Sequence, residues 1–271
     1  MPSRSALKTL DRFAAAFPQC GFAGRMFFPC YGMAETTLLV SGGPPEAETT
    51  RVWVDAAALE AGRIEAVEPD AAGAKSLVGC GVPAAWLEIR VVYSQTRTLV
   101  PVGRVGEIWV KSGCVAAGYW GRADDTQAAF DNRLADTGEG PFLATGDLGF
   151  VDAEEIYVTG RVKDIIIICG RNIYPQDVEA AVAAEVEFIE PNGCAAFAVE
   201  GPAGEEVIGI VAEADRGMVR TAKVGPAQLE PIVARIRAVV AVEFGVPVGR
   251  VVFVRPGTFP KTSSDEPVEP A

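Results

Sequence analysis

Gly160-Arg161-Val162-Lys163-Asp164-Ile165-Ile166-Ile167-Ile168-Cys169-Gly170-Arg171-Asn172-Ile173-Tyr174-Pro175-Gln176-Asp177-Val178-Glu179 is where the grammar of the chain changes. Asp164–Cys169 is an apolar run of strand length. Pro175 then opens a predicted helix over Pro175–Val186, because proline in a first turn loses an N–H that has no helical partner anyway. Working outward toward the C-terminus, Cys194–Val199 and Val207–Val211 read as strands. Leu229, Ile232, Val233, Ile236, Val239 and Val240 fall on one face of a helix predicted over Ala227–Phe244, and Val251–Val254 reads as a closing strand. The result is an α+β unit of about 110 residues, a normal domain size.

Toward the N-terminus the pattern is different. Leu87–Tyr93, Gly106–Val110, Leu148–Val151 and Ile156–Thr159 are short β runs punctuated by glycine, which predicts a twisted antiparallel sheet or barrel. Ahead of them, Leu7, Leu10, Phe13, Ala14 and Phe17 recur at helical spacing within Ser5–Phe17. A short strand, a glycine turn and a second apolar run follow, ending at Gly42-Gly43-Pro44-Pro45. Residues 44–80, rich in Ala and Glu, read as an excursion from the main fold. Gly79-Cys80-Gly81-Val82-Pro83-Ala84 matches a dinucleotide-loop pattern but lacks the surrounding βαβ unit, so it reads as a turn before a strand. The expected organisation is a larger part over 1–160, with an α/β and barrel-like character, and a small α+β domain over 161–271.

Composition narrows the chemistry. The chain has 271 residues, with 24 Lys plus Arg against 36 Asp plus Glu and a net charge of −12, a balance that repels nucleic acid and anionic membranes. It contains no histidine, which removes His-based acid–base catalysis and most zinc and haem sites. Cys20, Cys30, Cys80, Cys114, Cys169 and Cys194 include no Cys-x-x-Cys pair and read as small buried hydrophobes in a reducing compartment. The opening residues lack a signal-peptide core, and the longest apolar run, Ile165 to Cys169, falls far short of a membrane span. A cytoplasmic location is expected.

Five segments in fixed order carry the functional reading. Tyr31-Gly32-Met33-Ala34-Glu35-Thr36-Thr37 comes first; Gly106-Glu107-Ile108-Trp109-Val110 with Gly118-Tyr119-Trp120 is second, and Thr145-Gly146-Asp147-Leu148-Gly149 third. The run from Gly160 to Glu179 is fourth and Pro260-Lys261-Thr262-Ser263-Ser264 fifth. Together they resemble the adenylate-forming superfamily of acyl-CoA synthetases and adenylation domains, and Tyr174-Pro175-Gln176-Asp177-Val178-Glu179 with Leu38-Leu39-Val40-Ser41-Gly42-Gly43 resembles its fatty acyl-AMP ligase branch. The resemblance implies the C-terminal portion of an enzyme that activates a fatty acid with ATP to an acyl adenylate and passes it to an acyl carrier protein or polyketide synthase.

Residue roles follow from the same resemblance. Tyr31, Gly32 and Met33 match positions against the adenine, where an aromatic ring can stack while bare backbone approaches the base. Glu35 matches a carboxylate that holds Mg²⁺ against phosphate oxygens. Asp147 offers two acceptor oxygens to the ribose hydroxyls of ATP or AMP, and Arg161 touches the same ribose. Lys163 and Asp164 fall at the hinge between the two domains. Residues 44–80 occupy the place of a ligase-specific insertion.

Two departures weigh against catalysis by this polypeptide alone. Family members carry a phosphate-binding loop upstream of the region equivalent to Leu7, and none is present here. After Pro260-Lys261-Thr262-Ser263-Ser264 the family continues Gly-Lys, where this chain has Asp265-Glu266. Glu266 thus stands in place of the catalytic lysine and repels the phosphates that the lysine neutralises. The expectation is an inactive portion of a ligase, with a non-catalytic nucleotide- or carrier-protein-binding module, or a degenerate remnant, as the competing readings.

Overall fold

The computed structural model describes residues 4–201, 203–217 and 225–259. The chain divides into two compact units, Met1–Lys163 and Asp164–Ala271.

The first unit begins with α1 (Arg4–Ala16), which stops ahead of Pro18, as the restriction on residues preceding proline requires. Phe13 on its last turn gathers Phe17, Phe22 and Phe27 at ring-centroid distances of 4.7, 5.0 and 5.9 Å. Strands β1 (Cys30–Met33) and β2 (Leu38–Gly42) pair antiparallel around a 3₁₀ turn at Ala34–Thr36. The stretch 44–80 is ordered rather than a bare loop: β3 (Arg51–Asp55) and β4 (Ala74–Val78) pair antiparallel and enclose α2 (Ala56–Glu60), whose first turn is capped by the Asp55 carboxylate accepting from Ala58 N at 2.7 Å. The two-residue strand β5 (Val82–Pro83) follows Gly79-Cys80-Gly81 and pairs with β2, so that segment is a turn before a strand.

The remaining strands of this unit are β6 (Glu88–Tyr93), β7 (Thr98–Leu99), β8 (Gly106–Lys111), β9 (Leu143–Asp152) and β10 (Glu155–Arg161), with α3 (Ala123–Phe130) between β8 and β9. They form one antiparallel sheet in the order β10-β9-β8-β6-β7. Strand β8 lies at its centre and is buried on both faces. Ile108 and Val110 enter a cluster with Tyr31, Val40, Cys80, Leu87, Ile156 and Val158, while Trp109 points the other way against Val92, Leu134 and Phe142. That is why Ile108-Trp109-Val110 in its middle is apolar throughout rather than alternating.

Of the two arrangements expected, a twisted antiparallel sheet or a barrel, the sheet is the one observed, and it is open. One edge ends in the two-residue β7, too short to close a cylinder, and β10 at the other edge bonds instead to the turn before β5, with Cys80 N donating to Ile156 O at 2.8 Å and Ile156 N to Gly81 O at 3.0 Å. The cysteine reading is corrected. Only Cys80 and Cys194 are buried; Cys20, Cys30 and Cys169 are exposed and Cys114 is intermediate, all as free thiols, because each exposed one sits in a turn or on an edge.

In the second unit β11 (Ile166–Ile168) and β12 (Arg171–Ile173) form a hairpin closed by Cys169-Gly170, both at positive φ (51° and 75°), a two-residue turn that suits the twist of paired strands. Helix α4 (Pro175–Glu185) leads to β13 (Ile189–Glu200), β14 (Glu206–Ala214), α5 (Pro226–Phe244) and β15 (Val248–Val254). The sheet order is β13-β14-β15, the first pair antiparallel and the second parallel, with α5 as the crossover that a parallel pair needs. Ile236, Val240 and Phe244, four residues apart, bring one stripe of α5 into a core with Val178 and Val182 of α4 and Ile208 and Ile210 of β14. No described helix is long and apolar enough to cross a membrane.

Candidate functional site

Asp147 sits in β9 and Arg161 ends β10, and the antiparallel register makes them direct cross-strand partners. The Arg161 Nε–H donates to Asp147 Oδ1 at 3.0 Å, and the Tyr31 hydroxyl, arriving from β1, donates to Asp147 Oδ2 at 2.8 Å. Asp147 is 3% exposed, yet the Arg161 side chain keeps about half its surface in water at 47%. The arrangement is a buried carboxylate bound on both oxygens and flanked by a half-exposed cation. Burial first, and then the Asp147 charge, push the Tyr31 phenol far above its ordinary range, so Tyr31 remains a neutral donor at any physiological pH.

The turn carrying Asp147 is fixed from below. Thr145 Oγ1 donates to Ile108 O at 2.7 Å and accepts from Asp147 N at 3.1 Å. Glu107 Oε1 accepts from Gly146 N at 3.0 Å while Oε2 accepts from Trp109 Nε1–H at 3.1 Å. Buried Glu107 therefore has both oxygens occupied, and alternation along β8 explains how Glu107 and Trp109 share a face. Sequence reasoning placed Glu107 and Thr145 inside motifs but assigned them no role; a carboxylate two residues before a buried Trp in a central strand was the available signal.

Gly32 allows the closest approach in the site. A Cβ there would lie 1.7 Å from Leu38 O, so a side chain cannot be accommodated without moving β2. Met33 follows, half-buried, against the cluster that holds Tyr31. Glu35 lies in the 3₁₀ turn between β1 and β2. Its Oε1 accepts from the Tyr119 hydroxyl at 2.8 Å, and its backbone carbonyl accepts from Ala116 N at 2.8 Å. Tyr119, like Glu107, lies in a motif that by itself assigns it no role.

Lys163 is exposed in the turn that ends the first unit, and Asp164 opens the second, with its Oδ1 buried and lacking a hydrogen-bond partner among the described residues. Lys261, Asp265 and Glu266 lie outside the described residues. The structure thus brings Tyr31, Asp147 and Arg161 together, and joins Gly32, Met33 and Glu35 to them through β1.

Mg²⁺ can be tested against the donor set. No group of three metal-ligating side chains occurs among the described residues, so a dedicated protein cage is absent there. Glu35 offers Oε2, with Oε1 held by Tyr119. A single carboxylate of this kind fits Mg²⁺, which keeps several waters and takes its other ligands from substrate phosphates.

The sequence model of the AMP-binding enzyme family matches residues 4–120. A medium-chain fatty acid–acyl carrier protein ligase of Moorena producens is 39% identical over 259 residues, covering 95% of this chain and 43% of that protein. A long-chain fatty acid–AMP ligase of Mycolicibacterium smegmatis is 35% identical over 94% of this chain and 44% of its own length. Among solved structures, one from studies of fatty acyl-adenylate ligases of E. coli and L. pneumophila superposes with a TM-score of 0.78 at 29% identity, over 96% of this chain and 44% of that one. A fatty acyl-adenylate ligase of L. pneumophila in complex with acyl adenylate and pyrophosphate gives 0.57 at 31% identity, over 95% and 44%. The chain spans less than half the length of the relatives it matches.

Proposed function

We propose a function from the premise that the chain belongs to the adenylate-forming, AMP-binding superfamily and to its fatty acyl-AMP ligase branch: it supplies the nucleoside-binding part of a ligase that activates a fatty acid with ATP. The observation that carries this reading is Asp147, a buried carboxylate between the Tyr31 hydroxyl and the Arg161 guanidinium. Two hydroxyls on adjacent ribose carbons match its two oxygens, and the half-exposed Arg161 guanidinium stands beside Oδ1 on the side open to water. Gly32 and Met33, next along β1, line the approach of the base, while Tyr31, whose ring is buried in the core, acts through its hydroxyl on Asp147.

In the reaction proposed, a fatty acid carboxylate oxygen attacks the α-phosphorus of ATP. The new C–O–P linkage forms as the bond to the bridging oxygen breaks, and pyrophosphate leaves with that electron pair. Mg²⁺, when bound, offsets phosphate charge. Glu35 holds the position for it through Oε2, Asp147 and Arg161 fix the nucleoside, and Lys163 with Asp164 form the connection about which the second unit turns. The acyl adenylate is then passed to a carrier-protein thiol, the acceptor class named for the Moorena relative. The exposed Phe13, Phe17, Met26 and Phe28 offer an apolar face suited to packing against further adenylation-domain structure.

Glu266 favours a second reading for the polypeptide by itself, namely nucleotide binding without turnover. Loss of a single phosphate-stabilising donor lowers rates by about 10²–10³. The expected outcome is no fatty-acid-dependent ATP–pyrophosphate exchange by the 271-residue chain, together with AMP binding near 1 mM, corresponding to roughly −4 kcal/mol. Calorimetric titration with AMP tests this, and the nucleoside assignment fails if Asp147→Ala leaves the isotherm unchanged.

A further inference from the structure

We propose that Tyr119 is a positioning residue for Glu35, holding its carboxylate so that Oε2 faces outward to a cation, and that helix α3 is the mount for Tyr119. The inference rests on the reading of Glu35 as the metal carboxylate, and extends the machinery to residues that reading does not include.

The segment Cys114–Tyr119 grips the turn at Glu35 at three points. Thr37 Oγ1 donates to Cys114 O at 2.8 Å, Ala116 N donates to Glu35 O at 2.8 Å, and the Tyr119 hydroxyl donates to Glu35 Oε1 at 2.8 Å. The first two fix the backbone and the third the side chain. Glu35 is the acceptor 84 positions away from its donor, so the contact is made by the fold and not by neighbouring sequence.

Tyr119 is itself held. Its N–H donates to Thr126 Oγ1 at 2.9 Å, and that hydroxyl donates to Arg122 O at 2.7 Å from within the first turns of α3. Phe130, at the end of the same helix, packs edge-on against the Tyr119 ring at 5.2 Å, and the Arg122 guanidinium lies 5.7 Å from the ring centre. Gly118 has φ 144° and the Thr126 Cγ2 stands 2.2 Å from where its Cβ would be, so only glycine admits Thr126 at this point. The polar helix α3, which buries none of its residues, thereby acquires a purpose: it sets the phenol at hydrogen-bond distance from Glu35.

An exposed glutamate without such a partner samples many rotamers, and a cation must then select one of them. With Oε1 bonded to the phenol, the rotamer is chosen before the cation arrives.

The test uses the full chain with Mn²⁺ as a paramagnetic probe in the presence of AMP, and reads two quantities by NMR. Side-chain three-bond couplings of Glu35 are expected to report one dominant rotamer in the parent and averaging in Tyr119→Phe, which keeps the ring contacts and removes only the hydroxyl; Thr126→Val should do the same through loss of the mount. Mn²⁺-induced broadening at the side-chain Cδ of position 35 should vanish in Glu35→Gln, and the apparent Mn²⁺ affinity should fall about 5-fold in Tyr119→Phe, the effect of losing one hydrogen bond to a carboxylate. Couplings unchanged in Tyr119→Phe overturn the positioning role whatever the metal does. Mn²⁺ binding unchanged in Glu35→Gln, with the couplings averaged in Tyr119→Phe, overturns the metal reading of Glu35 while upholding the hold of Tyr119 on its side chain.

Discussion

The Tyr31 hydroxyl reaches across 116 positions of sequence to donate to Asp147 Oδ2 at 2.8 Å, so the first functional motif and the third meet through one hydrogen bond. Strand β1 belongs to the small sheet and β9 to the large one, and the bond links the two beside the cluster formed by Val40, Cys80, Ile108, Ile156 and Val158. Tyr31 thus has its ring in a core and its polar end on the candidate site. A change at that hydroxyl should be felt in both stability and binding.

Tyr31→Phe keeps the ring and deletes the donor. Asp147 Oδ2 then loses that bond inside the fold while Oδ1 keeps Arg161, and under-satisfying a buried carboxylate costs about 1–3 kcal/mol. Urea unfolding should show a lower midpoint with an unchanged slope, whereas a midpoint equal to the parent's means the hydroxyl contributes nothing in solution.

Glu107→Ala should have a larger reach than its distance from the nucleoside position suggests. It strands the buried donor Trp109 Nε1–H, at a cost of about 1–3 kcal/mol, leaves the half-buried Gly146 N without its acceptor, and releases the turn that presents Asp147. AMP binding is expected to be lost together with stability, and Glu107→Gln to recover part of both, since its amide oxygen can still accept one of the two bonds. Intact AMP affinity in Glu107→Ala would remove Glu107 from the support of the site.

The elements that were legible in the sequence are those whose burial is periodic or continuous. The helix predicted over Ala227–Phe244 runs Pro226–Phe244, and that over Pro175–Val186 runs Pro175–Glu185, because a proline marks each start and an apolar stripe each length. Helix α3 carried no stripe, since Asp124, Asp125, Thr126 and Gln127 face solvent or the Tyr119 loop, and it went unread. Strands β3 and β4 were hidden in an Ala- and Glu-rich stretch for a related reason: they form a two-stranded sheet of their own, and four of the five residues of β3 are only partly buried, with no alternation. The same limit applied to the site. Asp147 and Arg161 lie 14 positions apart in adjoining strands and were readable as a pair, whereas Glu35 and Tyr119 meet only because two turns from different sheets converge.

The thiols give a pH-dependent prediction. Burial pushes the Cys80 thiol from 9.0 up to about 11, ahead of smaller effects from its surroundings. A raised value in the folded state means the fold favours the neutral thiol, so the contribution is complete below about pH 9 and is lost as pH rises through about 11; a shift of this size is worth about 2–3 kcal/mol. Stability measured from pH 8 to 11 should fall, and Cys80→Ala, compared with its own value at pH 8, should fall less. A thiol reagent at pH 8 should label exposed Cys20, Cys30 and Cys169 rapidly, and Cys80 and Cys194 only as fast as the protein opens. Labelling of Cys80 at the rate of Cys30 would contradict its burial.

Limited proteolysis addresses the division into two units. Arg161 at the end of β10, and Val162 and Lys163 between that strand and the hairpin of the second unit, are all exposed, and exposed connections are where proteases cut first. Trypsin has two sites there, but they are not equivalent. Arg161 belongs to β10, pairs with Asp147 in the backbone register and donates to its carboxylate, so presenting it to a protease means opening the end of the strand. Lys163 lies beyond the strand in the turn and requires no such opening. Cleavage is therefore expected after Lys163, releasing the fragment Asp164–Ala271 at about 11 kDa. That fragment contains its own core, in which Ile236, Val240 and Phe244 pack with Ile166, Ile173, Val178, Val182, Ile208 and Ile210, so it should persist and keep a cooperative unfolding transition. Mass spectrometry of the first products decides the matter: initial cuts inside Pro226–Phe244, or a C-terminal fragment degraded as fast as the remainder, would refute both an autonomous second unit and a hinge at Lys163 and Asp164.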